Sequence, residues 1–261
     1  EFLRRMEAGG PFPMFTSCCP AWIRYLEYED PKYLRHVSTC KSPMEMFAAV
    51  LRAQPEEGGK KLCHIAVMPC TAKKMEAGRE EFRQDGQPDV DLVLTTQELI
   101  QMIQESGIRF AELPGEAPDM PFGLGTGAGV IFGTTGGVAE AVARRVLERD
   151  SRNDRQALAY SGLRGMEGVR AAELTVGEKT IRIGVVHGLA NAKRLIAKME
   201  AGEERFDLVE VMTCTTGCVG GAGQPRGLLP QKQARAEGLY EADRGSLIKS
   251  SQNNPILKAL Y

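Results

Sequence analysis

The 261 residues carry 33 basic and 34 acidic side chains, with 43% hydrophobic and 26% charged positions, a composition that can bury a core and excludes a disordered chain. Lys and Arg are interspersed with Glu and Asp, so no basic run offers itself to nucleic acid or an anionic membrane surface. No stretch approaches the roughly 18 apolar residues of a membrane-spanning helix, so membrane insertion is not expected.

Residue 1 is Glu, with no basic and apolar leader after it. The expectation is a start that was processed, trimmed or internal to a longer polypeptide, and a cytoplasmic location with a periplasmic one left open. Apolar residues three and four apart predict the end of an amphipathic helix over 2–6, stopped by Gly9-Gly10. A short strand over 13–16 runs into adjacent Cys18 and Cys19, and a helix over 21–28 is entered from Pro20. Ser42-Pro43 opens another helix, with Met44, Phe47, Val50 and Leu51 on its apolar side. Residues 55–61 read as a linker and 62–68 as a buried-type strand ending at Pro69-Cys70. A second strand over 90–94 leads through Thr95-Thr96 into an amphipathic helix carrying Leu99, Ile100 and Ile103. Gly and Pro dominate 107–137, the expected lobe boundary or long functional loop. A strong helix over 138–149 follows, and Gly136-Gly137 lets the backbone come close to something at its amino end. Residues 169–175 and 180–186 form a predicted hairpin through 176–179, with a helix over 189–199 and a strand over 208–212 that again runs into cysteines. Strands alternating with helices predict an α/β fold with parallel sheets.

Seven cysteines are too few for a disulfide scaffold, and their odd number leaves at least one unpaired. Five of them, Cys18, Cys19, Cys70, Cys214 and Cys218, lie in short stretches rich in Gly, Pro, Thr and Ser; Cys40 and Cys63 do not. In each of three places a strand ends, a Pro or Thr turn follows, and a thiol sits at the strand's carboxyl end. Ligands bind at that end of open α/β sheets, so the three corners are expected to meet in one cleft. A four-iron four-sulfur cluster needs four thiolates and these corners offer five. Zinc is the rival reading, but only Cys214 and Cys218 have the spacing of a zinc knuckle, and adjacent Cys18 and Cys19 are poorly placed to chelate one ion. Buried free thiols are the bland alternative. His36, His64 and His187 show no ligand spacing.

Three segments carry a family resemblance. They are Pro13-Met14-Phe15-Thr16-Ser17-Cys18-Cys19-Pro20-Ala21-Trp22, Met68-Pro69-Cys70-Thr71-Ala72-Lys73-Lys74-Met75-Glu76, and Glu210-Val211-Met212-Thr213-Cys214 continued by Cys218, Gly221, Ala222, Gly223, Gln224 and Pro225. In order, they resemble the three signatures of the catalytic H-cluster domain of the iron-iron (FeFe) hydrogenases. Ile131-Phe132-Gly133-Thr134-Thr135-Gly136-Gly137 and Gly238-Leu239-Tyr240 are also similar to stretches of that family.

The resemblance implies an α/β domain of two lobes, about 1–125 and 126–225 with an extension over 226–261, each lobe a parallel sheet flanked by helices and the cluster in the cleft between them. It implies a cubane held by Cys19, Cys70, Cys214 and Cys218. Cys218 would also bridge to a two-iron subsite with carbon monoxide, cyanide and azadithiolate ligands. Lys73 would donate a charge-assisted bond to a cyanide, Met68 and Met212 would offer thioether contacts, and Phe132 would press on the diatomic ligands. Cys18 would pass protons to the bridgehead amine, with Ser38, Glu1 and Arg5 leading to the surface after a Glu upstream of Glu1. Burial is expected to raise the carboxyl pKa values along that path. The implied activity is reversible interconversion of dihydrogen with protons and electrons. The implied partners are ferredoxin or an iron–sulfur subunit, together with the hydrogenase maturation proteins. Non-catalytic iron–sulfur assembly proteins and low-turnover hydrogen sensors are the alternatives; the assembly type has no use for Cys18 or Lys73. Departures from the family pattern are Met44, where many members have Gln, the Thr215-Thr216 pair, and Ala222. The last two are expected to add side chain near the cluster. The Cys-x2-Cys-x2-Cys-x3-Cys-Pro run of accessory clusters is missing from the sequence.

Overall fold

The computed structural model describes residues 1–54, 62–147, 162–176 and 178–260. The expected linker over 55–61 and the last two residues of the helix expected over 138–149 lie outside the described residues. Helix α1 (Phe2–Ala8) stops at Gly9, whose φ of 84° is open to glycine at little cost. Strand β1 (Met14–Phe15) leads into α2 (Pro20–Glu29), and α3 (Pro43–Arg52) is capped by the Ser42 side chain, which accepts the Glu45 N–H. Then come β2 (Ile65–Met68), α4 (Ala72–Ala77), the small hairpin β3 (Arg83–Gln84) and β4 (Gln87–Pro88), and β5 (Leu92–Thr95). Thr95 and Glu98 close a reciprocal capping box on α5 (Thr96–Glu105). The Gly/Pro-rich stretch holds only the short α6 (Gly127–Val130) and 3-10 turns before α7 (Gly137–Leu147). The chain ends through β6 (Val169–Val176), β7 (Lys179–His187), α8 (Leu189–Glu200), β8 (Leu208–Met212), α9 (Leu229–Gly245) and α10 (Pro255–Leu260).

A four-stranded sheet runs in the order β1-β8-β7-β6, with β1, β8 and β7 parallel and β6 antiparallel to β7. The β6–β7 pair is the hairpin expected from sequence, closing at Val176 opposite Lys179. All five residues of β8 are buried, as a central parallel strand requires. Its alternation sends Leu208 to one face, where α1 and α7 bring Phe2, Ala139, Ala143 and Val146. Val209 and Val211 go to the other, where α2 and α8 bring Trp22, Leu26, Ala192, Leu195 and Ile196. Each such Leu, Ile or Val stabilises the fold by about 1.5–3 kcal/mol through burial.

The second parallel sheet is β2 with β5, in register from Ile65 opposite Leu92 to Met68 opposite Thr95. One face packs Ala66, Met68 and Val93 on Met44 and Ala48 of α3. The other leaves Ile65, Val67 and Leu92 at 54%, 43% and 48% exposure. The strand over 62–68 is therefore not of the fully buried type. Strands β1, β2 and β8 each end at a cysteine loop.

Candidate metal centre

Cys18 and Cys19 follow β1, Cys70 follows β2, and Cys214 and Cys218 follow β8. The loops interlock through backbone. The Gly223 N–H donates to Pro69 O at 3.0 Å, and the Gln97 N–H to Gly223 O at 3.0 Å. A Cβ on Gly221 would stand 2.1 Å from Pro69 O, and one on Gly223 2.7 Å from the Cys70 nitrogen. Gly217, at φ 78°, lies against the Thr135 nitrogen in the same way. Gly221 and Gly223 thus let the third cysteine loop lie on the second, and Gly217 lets it lie on Thr134-Thr135.

The sulfurs are buried beside one another. The Cys19 thiol donates to Thr213 Oγ1 at 3.4 Å, the N–H groups of Ala72 and Lys73 point at the Cys70 sulfur, and the Ala222 N–H points at that of Cys214. Burial pushes the Cys70 and Cys214 thiols up, and burial with the neighbouring Cys19, Cys70 and Cys214 pushes Cys218 up to about 12. A cationic metal body relieves that crowding, because each thiolate then faces iron instead of its neighbours. Among the described residues no group of three or more His, Cys, Asp or Glu is arranged to hold a single metal ion. Thiolates on one zinc all lie about 2.3 Å from it, whereas a cubane spreads its four ligands over four irons and asks for a wider set of thiols.

Cys18 stands apart from that set. It is pushed well above the usual thiol range by burial first, then by the Glu210 and Cys19 charges, and its Sγ lies 3.7 Å from Thr16 Oγ1. It lines a cavity of about 460 Å³ together with Phe132, Met46, Ser38 and Glu1. Ser38 donates to Glu1 Oε2 at 2.6 Å, and Arg5 donates to Glu1 Oε1 from Nε at 3.0 Å and from Nη2 at 2.7 Å. The Thr39 N–H adds a bond of 3.0 Å. The expectation of a raised carboxyl pKa fails here. Burial pulls the Glu1 carboxyl up, but Ser38, Thr39 and Arg5 together outweigh it and hold it down at about 2. Such a group adds stability above its ordinary value of 4.5 and loses it as pH falls through about 2. Glu1→Gln should therefore melt lower than the native chain near pH 5, and the gap should close toward pH 2 in a series of thermal scans.

Lys73 is buried, donating to Glu76 Oε2 at 2.5 Å and to the Cys18 carbonyl at 3.3 Å, so it ties the Cys70 loop to the Cys18 loop. Met212 is buried at the end of β8, whereas Met68 is half-buried and packs on α3. Two acidic residues had no place in the sequence reading. Glu210 sits in the all-buried strand β8 and accepts the N–H groups of Gly136 and Ala139 at 2.6 and 2.8 Å. Burial outweighs those bonds and pushes its carboxyl up to about 7. The close approaches that Gly136 and Gly137 allow are to other backbone: a Cβ would stand 2.0 Å from Leu163 O at the first and 1.8 Å from Ile131 O at the second. Glu45 is fully buried in α3. For Glu210 the signal is one acid inside an otherwise apolar strand; Glu45 stands among apolar residues of which Met46 and Phe47 are exposed, so its burial had no such signal.

The departures also resolve. Thr215 and Ala222 are exposed. Thr216 is buried at φ 72°, a rare conformation for a β-branched residue, and its hydroxyl has no partner. Relief of left-handed strain, about 1–2 kcal/mol, exceeds the added chain entropy of glycine, about 0.5–1 kcal/mol. Thr216→Gly should raise the melting temperature in calorimetry; a fall would mean that the Thr216 methyl packs better than its backbone geometry suggests.

Five cysteines gathered in the loops that follow three parallel strands are the arrangement expected of an α/β protein of the iron–sulfur type. The chain belongs to the iron-only hydrogenase family: residues 1–222 match the family described as the iron only hydrogenase large subunit, C-terminal domain. It is 41% identical to the NADP-reducing hydrogenase subunit HndD of Solidesulfovibrio fructosivorans, over 100% of this chain and 46% of that protein. It superposes on the FeFe hydrogenase HydA1 of Chlamydomonas reinhardtii with a TM-score of 0.81 and 37% identity, covering 100% of this chain and 74% of the other. A probable cytosolic Fe-S cluster assembly factor of Anopheles gambiae is 27% identical over 100% of this chain and 57% of its own length. The chain therefore spans about half the length of curated relatives that it matches. No helix among the described residues is long and apolar enough to cross a membrane.

Proposed function

We propose that this domain catalyses the reversible interconversion of dihydrogen with two protons and two electrons. Cys19, Cys70, Cys214 and Cys218 would hold a four-iron four-sulfur cubane. Cys218 would be shared with a two-iron subsite carrying carbon monoxide, cyanide and azadithiolate ligands, and Lys73, Met68, Met212 and Phe132 would surround that subsite. When bound, the cofactor would supply electron storage and the heterolytic splitting of dihydrogen.

The observation that carries this reading is the fifth thiol. Cys18 is superfluous to a cubane, yet it is buried beside the four others and opens on the cavity that reaches Ser38 and Glu1. Its Sγ holds a proton at the inner end of that cavity. The Ser38 hydroxyl and the Glu1 carboxylate, 2.6 Å apart, form the outer end, where Arg5 keeps the carboxylate charged and fixed. Lys73 holds the Cys18 loop through its carbonyl and brings a buried positive charge to the site, suited to an anionic cofactor. Electrons would be exchanged with a ferredoxin or a partner iron–sulfur subunit, and loading would require hydrogenase maturation proteins. Infrared spectroscopy after supply of the two-iron precursor tests the reading. Carbon monoxide and cyanide bands together with dihydrogen turnover are expected. A chain that takes up the four-iron cluster and never shows those bands is of the assembly-factor kind.

A further inference from the structure

Beside the cysteine loops lies a buried charge cluster of which the proposed reaction uses only Lys73. Glu45, in the first turn of α3, has no exposed surface, and neither carboxylate oxygen has a hydrogen-bond partner. The charged groups within reach are Glu76 and Lys73 on α4, Asp89 ahead of β5, and Lys41 ahead of α3. Three carboxylates share two ammonium groups, and both are already committed. Lys41 pairs with Asp89, which also takes the Gln84 amide at 3.0 Å. Lys73 pairs with Glu76 at 2.5 Å, which also takes the Ser42 hydroxyl at 2.8 Å.

The sequence around Glu45 has the Ser-x-x-Glu pattern of a capping box, in which the Glu carboxylate returns to the Ser42 N–H. Only the forward half forms, the Glu45 N–H reaching Ser42 Oγ at 3.5 Å. The amino end of a helix favours an anion weakly, whereas full desolvation without a partner disfavours it strongly. Burial without a partner therefore favours the protonated form.

We propose that Glu45 is held as the neutral acid and is a positioning residue for Lys73: uncharged, it leaves the ammonium to Glu76 and the Cys18 carbonyl; ionised, it competes for that ammonium and draws it away from Cys18. Burial, then the Glu76 and Asp89 carboxylates, push the Glu45 carboxyl up to about 7 against the pull of Lys73 and Lys41, so the exchange falls near neutral pH. On ionisation the proton goes to bulk water and no other bond changes. The inference rests on Lys73 serving the cysteine site, and it is tested without dihydrogen turnover.

The measurement is a pH titration of the full chain from about 6 to about 8, labelled with 13C at the Glu carboxyls and at Lys Cε. Infrared spectroscopy follows the protonated-carboxyl stretch and NMR follows the Lys73 signal, assigned with Lys73→Arg. The native chain should lose carboxyl intensity and shift the Lys73 signal with one midpoint. Glu45→Gln should remove both changes, whereas Glu210→Gln, which alters the other buried carboxyl with a raised pKa, should leave the Lys73 shift in place. A Lys73 signal that titrates equally in native chain and Glu45→Gln overturns the proposal, as does one that stays still while Glu45 loses its proton. Gln mimics the neutral acid, so Glu45→Gln should melt at or above the native temperature at pH 8. Failure of that variant to fold would show that the fold needs the ionised form, and would also overturn it. Missing carbon monoxide and cyanide bands would sink the hydrogenase reading and leave this titration standing.

Discussion

Cys18→Ser should leave the four-iron cluster in place and slow dihydrogen turnover by orders of magnitude. The two halves of that result come from neighbouring residues with different surroundings. The Cys19 thiol faces Thr213 in the third cysteine loop and, in the function proposed above, would be one of the four cubane ligands. Cys18 faces Thr16 and the cavity that reaches Ser38 and Glu1. A serine hydroxyl keeps the size of the thiol but is less acidic than the thiol reference near 8.5 by about five pKa units or more, so it is a far weaker proton carrier. Positioned acid–base groups contribute about 10²–10⁴ in rate, and that range is the expected loss. Cys18→Asp restores an ionisable group and should recover part of the rate. Cys19→Ser, in contrast, should lower iron content. Iron analysis and electron paramagnetic resonance of the reduced cluster separate the two variants; a Cys18→Ser chain without iron beside a Cys19→Ser chain with it would reverse the assignment of the pair.

The convergence of Cys18, Cys19, Cys70, Cys214 and Cys218 is legible in the sequence because these cysteines lie in local patterns. Each cysteine follows a strand that hydrophobic runs mark out, and the hairpin between β6 and β7, the cap at Ser42 and the stop at Gly9 each follow from two or three adjacent residues. What escapes is chemistry made by distant partners. Glu1 has one local partner, Arg5, and the bonds from Ser38 and Thr39, 37 and 38 positions away, join it in holding the carboxyl down against burial. Glu45 and Glu210 owe their state to burial that sequence position alone does not reveal. The Glu140, Arg144, Arg164 and Asp243 cluster joins residues up to 99 apart in sequence and clamps α7 to α9. The half-exposed β2–β5 pair has the same cause, since an apolar run states that a strand can be covered and not how far it is covered.

Gly221→Ala should be the most damaging change in the centre that touches no sulfur. A methyl there would sit 2.1 Å from Pro69 O, well inside contact distance, and the atom it meets is rigid backbone. The clash cannot be relieved by a rotamer, so the third loop must lift away from the second, carrying Cys214 and Cys218 away from Cys70. Forced overpacking of this kind costs about 1–3 kcal/mol in a core, and backbone against backbone belongs at the upper end. Melting temperature should fall, and iron retained after reconstitution should fall further, because four ligands must close on one body and two of them have moved. Ala222→Gly supplies the internal control one residue away. Its side chain is exposed, so removing the methyl relieves nothing, and iron content should match the native chain. A Gly221→Ala chain that holds four irons at the native melting temperature would mean that the second and third loops do not depend on that contact to bring their cysteines together.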